Sequence, residues 1–221
     1  MIDPAAQLSL LESRAAVRDV HGLRVCALRL NVWLELSGRT ALRGDLRWLR
    51  LAARAARDQE VLGRRDWAQI PAEEQQQAAR TLESALEGAR YRGLLRALCA
   101  LPPLDPRMAQ RALPRMVTRM RRAAAAALAQ SEDEQARHRL RRRARRLRYA
   151  YEWLGQPANE LIALQEALGR SNDAAVALVH ARAHCPQDEK LLTGLQREAA
   201  GDRSQLKDLL EAVERTLEDE G

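Results

Sequence analysis

The segment from Arg137 to Arg148 holds eight arginines, one histidine and no acidic residue. Such a segment cannot lie inside a hydrophobic core, because a guanidinium group needs an anionic partner or water. At about 100° per residue of a helix, four arginines surround His138, and the leucines and alanines fall on the opposite side. Those four are Arg141, Arg145, Arg146 and Arg148. The segment therefore predicts an amphipathic helix with one core-facing side and one cationic side.

The overall charge favours a negatively charged partner. The 221 residues carry a formal net charge of +7, and the isoelectric point is about 10.1. Of the 37 basic residues, only Lys190 and Lys207 are lysines. Because arginine presents a planar fork that binds two phosphate oxygens at once, this composition suits nucleic acid, polyphosphate, an anionic membrane surface or an acidic protein.

The remaining pattern is helical nearly throughout. Alanine, leucine, arginine, glutamate and glutamine dominate, and no run alternates between apolar and polar residues as a strand does. We predict an all-α protein whose first helix runs from Pro4 to about Gly38, with Thr40 capping the next helix. Ser131, with Glu134 three residues later, predicts a capping box before the arginine-rich helix.

The three cysteines are scattered and show no paired spacing, which is typical of a reducing compartment. The N-terminus lacks a secretory pattern, and no apolar run approaches the ~18 residues that a membrane span needs. We therefore expect a soluble cytoplasmic protein that does not associate with a membrane.

The chain contains an internal repeat. His21-Gly-Leu-Arg24 and His138-Arg-Leu-Arg141 share one pattern 117 residues apart. At the same offset, Ala27, Arg29, Leu30 and Glu35 match Ala144, Arg146, Leu147 and Glu152. Further along, Leu46, Leu49, Asp58 and Val61 match Leu161, Leu164, Asp173 and Val176 at an offset of 115. The repeat predicts two helical halves, about residues 1–101 and 106–221, which meet at the proline-rich segment 102–106.

A histidine followed by basic residues at regular helical positions, in two copies, resembles the CHAD domain (conserved histidine α-helical domain). Leu46-Arg-Trp-Leu49 and Leu164-Gln-Glu-Ala-Leu-Gly169, each leading to a downstream aspartate, are similar to the family's further elements. The resemblance implies a single domain over residues 1–221, made of two stacked four-helix-bundle-like halves related by pseudo-two-fold symmetry. It also implies binding of inorganic polyphosphate through basic helix faces.

The same resemblance implies a set of phosphate-binding residues. They are His21, Arg24 and Arg29 from the first copy, and His138, Arg141, Arg145, Arg146 and Arg148 from the second. The first copy departs from the pattern at Leu28 and Asn31. Its anion-binding face is therefore either partly lost or supplied instead by Arg18 and Arg14, which stand one and two turns before His21 on nearly the same side.

A further basic stripe follows from helical spacing alone. Its members span an arc of about 120° on one helix and have no paired acids. They are Arg107, Arg111, Arg115, Arg119 and Arg122. We assign the last four to the phosphate-binding set.

No pattern indicates catalysis. The sequence has no nucleophile–base–orienter set, no glycine-rich phosphate loop and no dinucleotide fingerprint. His180 and His184 have a spacing that suits a metal, but no nearby carboxylate completes a site. We expect a non-catalytic protein without metal or cofactor.

Two alternative functions stay open. A nucleic acid is expected to compete more weakly than polyphosphate, because the chain has no phenylalanine, three tyrosines and four tryptophans for base stacking. The other alternative is a scaffold associated with polyphosphate or other storage granules, whose helices pack on a partner protein.

Overall fold

The computed structural model describes residues 2–130 and 133–219, which form eleven α-helices and no β-strand. The all-α prediction is confirmed. The helices are α1 (Ala5–Ala16), α2 (Val20–Leu36), α3 (Arg43–Ala52), α4 (Arg54–Leu62), α5 (Ala72–Glu87), α6 (Ala89–Cys99), α7 (Pro106–Ala129), α8 (Glu134–Trp153), α9 (Asn159–His184), α10 (Glu189–Ala200) and α11 (Arg203–Asp219). An isolated bridge joins Ile2 to Leu104.

The helices form two compact units, Met1–Ala112 and Leu113–Gly221. Helix α7 begins in the first unit and ends in the second. The prediction of one domain with two stacked, pseudo-symmetric halves stays a prediction.

Helix α2 forms the centre of the first unit. Eleven of its 17 residues are buried, and it packs against α1, α3 and α4. The Trp33 side chain is fully buried, and its indole Nε1 donates to the Ile2 carbonyl at 3.2 Å. Burial on nearly all sides follows from the composition of α2, which is apolar except for a few positions.

In the second unit, α9 packs against α8, α10 and α11. Leu140 and Leu147 of α8 and Leu164 of α9 are fully buried. At the turn between α10 and α11, Gly201 has a φ of 68°. A Cβ there would lie 2.7 Å from Ser171 Oγ on α9, so only glycine allows this close approach.

The predicted single first helix is wrong. It is divided into α1 and α2 by a turn in which Arg18 adopts a left-handed φ of 56°. Asp19 then caps α2, because its carboxylate accepts from Gly22 N at 2.8 Å. Thr40 does not cap α3, which begins only at Arg43.

The start of α8 differs from the predicted capping box. Ser131 lies outside the described residues. Asp133 occupies the capping position, and its carboxylate accepts from Gln135 N at 2.8 Å. Helix α8 therefore begins beside a local acid, and its basic face starts only one turn later.

Candidate anion-binding faces

Helix α8 divides into an apolar and a cationic side, as predicted. Leu140, Ala144 and Leu147 are fully buried, and Tyr151 is 5% exposed. The other side carries His138 and five arginines. His138 and Arg142 are exposed, whereas Arg141, Arg145, Arg146 and Arg148 are half-buried. The structure thus places all five residues predicted for the second copy on one helix, and each of them is exposed or half-buried.

Asn172 of α9 ties two members of this face to the neighbouring helix. Arg141 Nη1 donates to Asn172 Oδ1 at 3.4 Å, and Asn172 also hydrogen-bonds His138. Partial removal from water lowers the pKa of His138, and the nearby charges of Arg142, Arg141 and Arg145 lower it further. The unbound protein therefore keeps this imidazole largely neutral at neutral pH.

Two arginines of the segment form ion pairs with acids of the same unit. Arg148 Nε lies 2.6 Å from Glu152 Oε1, and the Arg148 side chain is 19% exposed. Arg139 Nη2 lies 3.1 Å from Asp133 Oδ2. Both ion pairs lie towards the ends of the segment, and Arg142 between them is exposed.

The first copy, on α2, has a different surface. His21 is exposed, but Arg24 is half-buried and Nη1 donates to the Arg50 carbonyl. Arg29 Nη1 donates to Gln7 Oε1 at 3.5 Å. Leu28 and Asn31, the equivalents of Arg145 and Arg148, are 4% and 5% exposed. Two of the positions that are basic and half-buried on α8 are therefore uncharged and buried on α2.

Arg14 and Arg18 do not share a helix with His21, so that part of the prediction is wrong. Arg14 is on α1, where Nη1 lies 3.0 Å from Asp19 Oδ2. Arg18 is in the following turn, and Nη2 lies 3.6 Å from a Glu83 oxygen of α5. Both guanidinium groups face acids of their own unit, which weakens the expected compensation for Leu28 and Asn31.

The α7 stripe is exposed along its length. Its residues are Arg107 and Arg111 in the first unit and Arg115, Arg119 and Arg122 in the second. Beside it, Arg121 was not predicted to matter, yet Nε lies 2.6 Å from Glu214 Oε2 of α11. The acidic C-terminal helix thus contacts α7 next to the stripe.

Sequence reasoning missed Arg142, and it gave Asn172 no role in binding. Arg142 falls about 40° from His138 on a helical wheel, so the periodicity alone could have found it. Asn172 precedes the repeat-matched Asp173, but only the packing of α9 on α8 brings its amide to the basic face.

His180 and His184, whose spacing could suit a metal, pack their rings against each other. The rings of His180 and His184 lie 4.2 Å apart between centroids, and His180 is 9% exposed. Over residues 2–130 and 133–219, no group of three or more His, Cys, Asp and Glu side chains is placed to hold a metal ion. The absence of metal, cofactor and catalysis stays a prediction.

Within the described part of the chain, no helix combines the length and the apolar character that crossing a membrane requires.

Comparisons with known proteins place this geometry in a family. A model of the CHAD domain matches residues 5–182. No curated protein matches the chain. The crystal structure of the CHAD domain from the plant Ricinus communis is similar, with a TM-score of 0.71 and 22% identity over 95% of this chain and 89% of that one. PptA from Streptomyces chartreusis has a TM-score of 0.62 and 19% identity over 97% of this chain and 96% of its own. At such identities, the two structures support the fold alone.

Proposed function

The chain belongs to the CHAD domain family, and on that basis we propose that it is a non-catalytic module that binds inorganic polyphosphate. The observation that supports this function is the cationic face of α8, which gathers His138, Arg141, Arg142, Arg145 and Arg146 on one side of a helix whose other side is buried. The family suggests that the ligand is polyphosphate, and the side chains of α8 are the hydrogen-bond donors that would bind it.

Polyphosphate is a flexible chain with a negative charge on each phosphoryl unit, so it needs a row of donors rather than one closed pocket. From His138 to Arg148 the helix axis advances about 15 Å, at about 1.5 Å per residue. Guanidinium groups on successive turns can each bind phosphoryl oxygens through charge-assisted hydrogen bonds. Since these contacts release condensed ions, the affinity is expected to fall steeply with salt.

Each unit contains other basic residues that are candidates for the same role. Arg111, Arg115, Arg119 and Arg122 give α7 a second exposed row. On α2, His21 is exposed, and Arg24 and Arg29 are half-buried and bonded to groups of the first unit.

Nucleic acid remains the second candidate, but the aromatic residues do not favour it. Trp33, Tyr91, Tyr149 and Tyr151 are all at most 6% exposed. Trp48 lies beneath the Arg90 guanidinium, 4.5 Å from the ring centroid. Trp67 and Trp153 are half-buried. With little aromatic surface for base stacking, single-strand binding would rest mainly on charge, and polyphosphate offers more charge per unit length. A granule-associated location would follow from binding the polymer.

The test is a titration of fluorescent long-chain polyphosphate at ~150 mM salt, where nonspecific charge effects are damped. Wild type is compared with Arg142→Ala/Arg145→Ala and with a charge-matched control, Arg197→Ala/Arg215→Ala, on α10 and α11. We expect the α8 variant to lose roughly thirtyfold in affinity, from two contacts of about 1 kcal/mol each. The control is expected to lose about twofold or less.

Single-stranded DNA of equal charge serves as competitor. Displacement of polyphosphate by DNA at equal charge would favour nucleic-acid binding, and absence of binding would contradict the module. Gel analysis of the recovered polyphosphate tests the non-catalytic part, because progressive shortening of the polymer would contradict it.

A further inference from the structure

The two repeat-matched glutamates, Glu35 and Glu152, each pair with an arginine that comes from a different place in the chain. In the second unit, Arg148 stands four residues before Glu152 on the same helix, with Nε 2.6 Å from Oε1. In the first unit the position equivalent to Arg148 is Asn31, which is 5% exposed and carries no charge. The first copy therefore lacks the arginine that its own helix would provide.

Arg43, the first residue of α3, takes this place. Its Nη2 lies 3.5 Å from Glu35 Oε2. The Asn31 side-chain amide donates to the Arg43 carbonyl at 3.2 Å. One residue of α2 thus fixes the backbone of Arg43, and another fixes its guanidinium.

The exposure of these pairs shows which charge meets the solvent. The Arg43 side chain is 30% exposed, whereas Glu35 is 11% exposed. For Arg148 and Glu152 the values are 19% and 24%. In the first unit, an approaching anion therefore meets the guanidinium more readily than the carboxylate.

The corresponding connection in the second unit, residues 154–158, contains no arginine. Between Glu35 and Leu46 the first copy has two residues more than the second has between Glu152 and Leu161. Helix α9 begins with Asn159 and Glu160, where α3 begins with Arg43. In the first copy, an arginine from a neighbouring helix, Arg43, is therefore present where the motif itself has Asn31 instead of an arginine.

We propose that Arg43 is a phosphate-binding residue of the first unit, positioned by Glu35, and that it replaces the basic residue which the first motif lost at Asn31. Its ligand is a phosphoryl oxygen of the same polyanion, so this inference rests on the proposed function. Arg43 thus adds a basic residue of α3 to the unit that also holds His21 and Arg24.

The experiment measures the affinity for long-chain polyphosphate of Arg43→Ala and of Arg80→Ala, a matched control. Arg80 is exposed on α5 and bonds Gln76 at 3.0 Å. We expect a three- to tenfold loss for Arg43→Ala, as roughly one charge-assisted contact is removed, and less than about twofold for Arg80→Ala. Asn31→Arg is not a suitable rescue, because Asn31 is 5% exposed and a charge there would destabilise the first unit.

Glu35→Gln gives an independent test that does not depend on fitting an arginine at a buried position. It removes a negative charge, so general electrostatics predicts tighter binding. Loss of the group that positions Arg43 predicts weaker binding, by about twofold or more. Urea unfolding of each variant separates this effect from a loss of stability.

The outcomes distinguish the two proposals. If wild type does not bind polyphosphate, the proposed function fails. If wild type binds and Arg43→Ala matches Arg80→Ala, or Glu35→Gln binds more tightly, the role of Arg43 alone is overturned.

Discussion

Helices α2 and α8 carry the same repeat, yet they present different surfaces. Their core-facing positions agree: Leu23 and Leu140, Ala27 and Ala144, and Leu30 and Leu147 are each at most 1% exposed. Their other sides differ, since Leu28 and Asn31 are buried where Arg145 and Arg148 are half-exposed. The core-facing residues of the motif therefore determine packing in both helices. The residues on the other side can bind a ligand only where they are exposed to solvent.

The neighbours of each helix explain the difference. Helix α2 packs against α1, α3 and α4, and α8 packs against α9. A side chain that a neighbouring helix covers must be apolar or fully hydrogen-bonded. Leu28 satisfies the first condition and Asn31, through the Arg43 carbonyl, the second.

Exchanging one residue between the copies is expected to give the largest effect. Leu28→Arg places a charge at a buried position and should lower the free energy of unfolding by about 3–5 kcal/mol, measured by urea denaturation. Arg145→Leu should change that free energy by less than about 1 kcal/mol, but weaken polyphosphate binding about tenfold. Equal stability of the two variants would refute the contrast between a buried and a solvent-facing side.

Removing the equivalent arginines, Arg24 and Arg141, tests the comparison by salt dependence. Arg141→Ala should reduce the slope of log affinity against log salt by about 1, as expected for one lost phosphate contact. Arg24→Ala should leave the slope nearly unchanged and mainly reduce stability, because Arg24 joins α2 to the Arg50 carbonyl of α3. A similar drop in slope for both variants would show that the two copies bind alike.

Replacing the two histidines is expected to give the smallest difference in polyphosphate affinity. Because the pKa of His138 is lowered in the unbound protein, a bound polyanion should raise it and add a proton. Affinity is then expected to increase by a few fold as the pH falls from about 7 to about 5. Unfolding also restores the ordinary pKa of His138, so the stability of the unbound protein falls over the same range.

His138→Asn should flatten the pH profile of binding, and the equivalent substitution His21→Asn is measured beside it. The measurement is polyphosphate affinity at several pH values and constant ionic strength. An unchanged profile in His138→Asn would assign the pH dependence to another group.

The sequence was sufficient to predict a helix and its two sides where apolar and charged residues alternate with a clear helical period. Helix α8 alternates leucine or alanine with arginine at helical spacing, so its two sides could be predicted. The break between α1 and α2 could not, because Arg18 adopts a left-handed φ that is uncommon for arginine and no glycine or proline marks the turn. Asp19 was the available signal, as a capping residue before a helix.

The contacts that complete each face come from elsewhere in the chain. Asn172 reaches α8 and Arg43 reaches α2 only through the packing of separate helices. Helical spacing within one segment does not determine such contacts, which is why the sequence predicted the charged side of α8 but neither of these residues.

The burial of α2 also has a consequence for motion. With eleven of 17 residues buried, the amide hydrogens near Leu30 and Trp33 should exchange with deuterated water only when the whole first unit unfolds. Helix α8, with seven of 20 residues buried, can open locally at a lower free-energy cost. Ligand binding should therefore slow hydrogen exchange mainly in α8, while α2 remains the rigid centre of its unit in both states.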